Sequence, residues 1–230
     1  MITERKHHER GLAEYSWLKS QHTFSFAHYY DPKHMGVSAL RVINDDIVSP
    51  GAGFETHPHR NMEIISYVLD GKIEHKDTMG YHTVLNAGDV QVMSAGSGIL
   101  HSEYNPSDSE ELNFLQIWIR PDTTETEPRY FEKNFSETEG VTLIVSPSGE
   151  AGSLAVRQDA YIYKLNSHHG ALDIPLATDR TYYLHIAKGE GVINGLQAVK
   201  GDGFTLNQES QIDLTELQSF EALLFDLPKE

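Results

Sequence analysis

Between residues 40 and 119 the chain repeats one device: a short apolar run, a cluster of glycine, asparagine, aspartate or proline, and a new run about ten residues on. That rhythm suits the strands of a sandwich or barrel and leaves little length for helices. Residues 62–69 end at Asp70-Gly71 and read as the first arm of a hairpin whose second arm begins at Lys72. Residues 81–85 and 90–93 follow as strands, and Leu112–Ile119 alternates most cleanly of all. Upstream, Phe24 and Phe26 alternate as one buried strand face would, and residues 38–44 read as a strand closed by turn chemistry at Asn44-Asp45-Asp46. Residues 120–140, rich in Thr, Glu and Pro, read as a solvated connection.

The second half echoes the first. Residues 182–187 before Gly189, then Val192-Ile193-Asn194-Gly195, then Gly201-Asp202-Gly203, match in style the run of residues 64–69, its turn, and Gly88-Asp89. An internal duplication of one β unit follows. A chain of 230 residues has the length for one large β domain or two of about 100 residues. The chemistry is not duplicated, because His168, His169 and His185 are the only histidines after His101.

Charge and composition narrow the function. Thirty-four acidic against 18 basic residues give a net charge of -16, which repels phosphate backbones and anionic membranes. Direct nucleic-acid binding and membrane association are therefore not expected. The opening MITERKHHERG has no apolar core, and no later run approaches the roughly eighteen apolar residues of a membrane span, so a cytoplasmic protein is expected. With no cysteine in the chain, any transition metal must be held by imidazole and carboxylate.

One such set is present. Side chains at i and i+2 of a strand share a face, so His57 and His59 can both point inward while Pro58 points away, and the same holds for His101 and Glu103. If their strands are neighbours in a small barrel, three imidazoles and a carboxylate converge on a site for a divalent first-row metal. The bland alternative is a hydrogen-bonded histidine pair at a strand edge and a histidine in a turn. Glu63 then serves as a partner for Arg60 or as an acceptor supporting a histidine N–H.

Gly51-x5-His57-x-His59-x3-Glu63 resembles the first cupin motif, and Gly88-Asp89 through Gly96 to His101-x3-Asn105 a variant of the second. With HTFSFAHYYDP, LRVINDD, HPHRNMEIISYVLDG, GDVQVMSAGSGILHSEYN and the ending LLFDLP, the chain strongly resembles the pirin family, bacterial pirin-like proteins in particular. The resemblance implies an all-β bicupin of two jelly-roll-type barrels, residues 1–135 with a metal and residues 136–230 without one. It also implies metal ligation by His57, His59, His101 and Glu103, whereas the generic cupin pattern would use Glu63. Glu103 is preferred because it shares the strand face of His101. The chain departs from generic cupins in the longer spacing from Glu63 to Gly71, in Ser94 for the usual proline, and in two extra residues before His101. Pirins share these departures.

The activity implied is that of a quercetin 2,3-dioxygenase, which opens the central ring of a flavonol with dioxygen and releases carbon monoxide. Glu103 would be the base for the flavonol 3-hydroxyl. Iron(II) is the first-choice metal, with nickel, manganese, cobalt, copper and zinc as alternatives. A different class is implied by eukaryotic pirins, which resemble metal-containing regulatory modules with protein partners.

Overall fold

The structure, a computed structural model, describes residues 1–229 and is all-β, with two single turns of 3-10 helix at His7–Glu9 and Glu150–Gly152. It is a bicupin of two packed jelly-roll units. In the first half a seven-stranded sheet runs Arg129–Asn134, Asp89–Ser94, Glu63–Asp70, Leu112–Ile119, Leu40–Val48, Leu18–His22 and Gly11–Glu14, each strand antiparallel to the next. A four-stranded sheet faces it, ordered Gly53–His59, Ile99–Tyr104, Lys72–Asp77 and His82–Asn86. The second half is one eight-stranded sheet dominated by the long strands Tyr161–Pro175, Arg180–Ile193 and Gln211–Pro228. Among the described residues no helix is long and apolar enough to cross a membrane.

The period-2 alternation of strands decides what packs where. On Glu63–Asp70, Ile65, Tyr67 and Leu69 point toward the second half and join Tyr183, Leu223 and Phe225 in one apolar cluster. Ile64, Ser66 and Val68 point the other way, into the first barrel. Leu184, Phe204, Leu214 and Phe220 fill the second barrel. The first strand of the chain, Ile2–Arg5, crosses over and pairs with Gly203–Asn207, so the two halves share a core and a strand.

Four expectations are corrected. Asn44, Asp45 and Asp46 form no turn; Leu40–Val48 runs straight through them, paired on both sides. Their side chains look like turn chemistry, but two of them find buried partners: Asn44 Oδ1 lies 2.8 Å from His22 Nδ1 and Asp45 Oδ1 accepts from Asn113 Nδ2 at 2.7 Å. Asp70-Gly71 makes no hairpin, because Glu63–Asp70 already has a neighbour on each side. At Gly71 the chain instead leaves one sheet for the other, and Lys72–Asp77 pairs with Ile99–Tyr104 and His82–Asn86. Residues 120–140 contain the strand Arg129–Asn134, which covers the edge at Asp89–Ser94. Phe24 and Phe26 lie beyond the end of Leu18–His22 and share no face: Phe24 packs on Tyr183 and Phe26 on Trp118.

Candidate metal centre

Gly53–His59 and Ile99–Tyr104 are antiparallel neighbours, and their register sets His101 directly opposite His57. Each i, i+2 pair therefore turns the same face to the barrel interior. A bulge between His101 and Glu103 then shifts the pairing, leaving Glu103 opposite Phe54 on one side and His75 on the other. The donor atoms of His57, His59 and His101 lie within 4.8 Å of one another. His75, His101 and Glu103 form an adjoining group within the same limit, so His101 belongs to both.

Hydrogen bonds settle how these rings are presented. His57 Nδ1 donates to the Glu55 carbonyl at 2.7 Å, so a neutral His57 offers Nε2 as a lone pair, 3.0 Å from His101 Nε2. That is the tautomer a metal ligand needs. Burial, then the neighbouring imidazoles His101 and His57, lowers His59 to about 4. Burial, then His57 and His75, lowers His101 to about 3. Both rings are therefore neutral near pH 7 and available as donors. His101 Nδ1 and Glu103 Oε2 are buried without a hydrogen-bond partner. Convergent neutral imidazoles beside an unpaired buried carboxylate oxygen fit a divalent cation and are otherwise costly.

Residues outside the expected set hold these groups in place. Ser66 donates to Glu103 Oε1 at 3.0 Å. His75 Nε2 donates to Asp77 Oδ2 at 3.0 Å, both side chains fully buried, and the His75 ring stacks on Tyr130 at 5.0 Å. Nothing singled out Ser66 or Tyr130 in the sequence. His75-x-Asp77, however, repeats the spacing of His101-x-Glu103, and that signal could have found it. Glu63 does not support the histidines. It lies on the opposite face of its strand from Ser66, accepting from Ser94 Oγ at 2.6 Å and from the Arg157 amide at 3.2 Å. Three positions separate the two residues, which on a strand reverses the face.

Facing the histidines, the seven-stranded sheet carries a polar row. His22, Asn44, Gln116, Ser66 and Gln91 stand directly opposite one another across five successive strands, all buried. His57 and His59 open onto a cavity of about 610 Å³ walled by Trp17, Phe26, Phe54 and Trp118, with Asn44, Asp46 and Gln116 among its polar groups. Gly96, at φ +48, lets the preceding turn pass against the Thr126 carbonyl, where any Cβ would collide.

Comparison with known proteins agrees with this architecture. The family model Pirin matches residues 4–119, and the model described as the quercetinase C-terminal cupin domain matches residues 143–227. A quercetin 2,3-dioxygenase of Escherichia coli K12 is 48% identical over 99% of this chain and 99% of its own. A pirin-like protein of Caulobacter vibrioides is 42% identical over 98% of this chain and 99% of its own. The crystal structure of the bacterial pirin YhhW from Escherichia coli in complex with nickel(II) superposes with a TM-score of 0.96 at 46% identity, covering 100% of both chains. With both halves matched and the histidine strands arranged as neighbours in the first, this chain belongs to the pirin family.

Proposed function

We propose that this protein is a metal-dependent dioxygenase that cleaves flavonols such as quercetin with dioxygen and releases carbon monoxide. The observation that carries this reading is the convergence of His57, His59 and His101, whose donor atoms lie within 4.8 Å of one another, at a cavity that His57 and His59 line together with Trp17, Phe26, Phe54 and Trp118. Its volume falls within the range of about 300–1,000 Å³ usual for small-molecule sites. The names of the quercetin dioxygenase relative and of the nickel-bound pirin support the same direction.

In this reading His57, His59 and His101 hold the metal and Glu103 completes the set, with Ser66 fixing one carboxylate oxygen. The bound ion would supply Lewis acidity and access to dioxygen chemistry. The chain's own residues do the rest. Trp17, Phe54 and Trp118 keep water from the aromatic substrate, and Glu103 accepts the proton of the flavonol 3-hydroxyl. Residues 1–135 form the metal barrel, except for the strand Ile2–Arg5 that completes the far sheet, and residues 136–230 form its metal-free counterpart. Iron(II) is the first candidate; nickel, manganese, cobalt, copper and zinc suit the same donors.

Protein loaded with each metal in turn is expected to consume quercetin and oxygen together and evolve carbon monoxide with at least one of them. Absence of turnover with all of them refutes the reading. His57→Ala and His101→Ala should each lose metal, measured by elemental analysis, and unchanged content in both would reject the ligand set. A Glu103→Gln protein that keeps its metal and full activity would remove Glu103 as the base.

A further inference from the structure

The two walls of the cavity carry different chemistry. The four-stranded sheet presents His57 and His59, and the seven-stranded sheet presents Asp46. Asp46 shares the inward face of Leu40–Val48 with Asn44, two residues away, and stands opposite Ser20 and Phe114. It is 2% exposed, yet its Oδ1 has no hydrogen-bond partner. Trp118, on the same sheet, lines the cavity with an equally unpartnered Nε1–H. Buried polar atoms without partners are rare in folded proteins, and two on one cavity wall mark where a ligand's polar groups go.

Burial raises the Asp46 carboxyl to about 7, with Asp45 and Glu103 adding repulsion and the Ser20 hydroxyl opposing it. A carboxyl so poorly solvated is a strong acceptor for an acidic hydroxyl such as a phenol.

We propose that Asp46 is the substrate-anchoring carboxyl of this cavity: its Oδ1 accepts a hydrogen bond from a phenolic hydroxyl on a part of the aromatic substrate not engaged at the metal centre. This deepens, and rests on, the flavonol reading above. It turns the cavity into a two-point clamp, with one hydroxyl taken at the His57–His59–His101 face and a second taken across the barrel. The clamp selects polyhydroxylated aromatic enols over those with a single hydroxyl.

The test is binding of quercetin and of 3-hydroxyflavone, whose single hydroxyl would be occupied at the metal, to the metal-containing protein without oxygen. Quenching of fluorescence reports occupancy, since both tryptophans of the chain, Trp17 and Trp118, line the cavity. Asp46→Leu, close in size, should weaken quercetin binding by about 10-fold or more and leave 3-hydroxyflavone within about twofold. Asp46→Asn keeps shape and an acceptor but not the charge, and should give a smaller loss in the same direction; it decides the question if the leucine variant does not fold. An unchanged ratio of the two affinities in the variants overturns the proposal, whether both ligands lose affinity equally or neither does. If the ratio changes as expected but no metal supports turnover, the dioxygenase reading falls and the Asp46 assignment stands. Wild-type protein that binds neither flavonol overturns both.

Discussion

A single hydroxyl, that of Ser66, stands between the Glu103 carboxylate and an unpaired burial. It donates to Glu103 Oε1 while Oε2 has no partner. Removing it leaves both oxygens of a buried carboxylate without a hydrogen bond. Ser66→Ala is therefore expected to cost about 1–3 kcal/mol in the metal-free protein, read from denaturant unfolding. It should also weaken metal binding about 10- to 100-fold in competition with a chelator, the usual effect of losing a group that orients a ligand. Unchanged chelator competition would show that Glu103 needs no support, or is no ligand. His57, His59, His101 and Glu103 were all legible as candidates from spacing alone, because i, i+2 pairs on a strand share a face whatever the rest of the chain does. Ser66 and Asp46 were not. Serine has no pattern of its own in an apolar strand, and Asn44-Asp45-Asp46 looks like a turn until the neighbouring strands supply partners.

At the scale of the element, the strand pair Gly53–His59 and Ile99–Tyr104 sets the geometry of the centre. Its bulge lies between His101 and Glu103, and Gly53 is the residue that lets the strands close beyond it. A Cβ at Gly53 would collide with the Glu103 carbonyl oxygen and the Tyr104 Cα. Gly53→Ala should push the strands apart at the bulge, destabilising the protein by about 1–3 kcal/mol. Metal affinity should fall with it, because the opposition of His57 and His101 depends on that register. A variant that loses stability while keeping wild-type metal affinity would show that the histidines are held from elsewhere. The strands around this pair were largely visible in the sequence, and Leu112–Ile119 has the bounds expected of it. Their partners were not visible. Asp70-Gly71 is a good local hairpin signal, but hairpins form only where a strand has a free edge, and Glu63–Asp70 has none. Arg129–Asn134 was hidden for the opposite reason: its outer residues are polar because it is an edge strand.

For the whole molecule, the buried imidazoles make stability depend on pH. His59 and His101 are held at about 4 and about 3, and burial also lowers His185, on the face between the two halves. Each titrates near 6.5 when the chain unfolds. Between about pH 4 and 6.5 the unfolded state binds protons at these sites that the folded state refuses, so stability rises with pH across that window. Asp46, raised to about 7, and Glu63, also raised, act in the opposite sense, since the folded state keeps their protons longer. His22 and His34, also lowered by burial, act with the other three, so five imidazoles against two carboxyls leave a net fall on acidification. The thermal midpoint of the metal-free protein should drop from pH 6.5 to 4, and less steeply in His185→Gln. An identical slope in that variant would show that His185 does not contribute.

The sequence alone determined the all-β class and the echo of one β unit in both halves, and it offered His57, His59, His101 and Glu103 as candidate ligands, since strand periodicity and turn chemistry are local. Tertiary structure decided which strands meet and what each polar residue faces. It sent Glu63 to the interface between the halves and brought Ser66, His75 and Asp77 around the histidines. It also opened Asp46 into the cavity and let Ile2–Arg5 complete the far sheet. The reason is physical: a strand's own residues dictate which of them share a face, but only the contacts of the folded chain dictate which face looks at which neighbour.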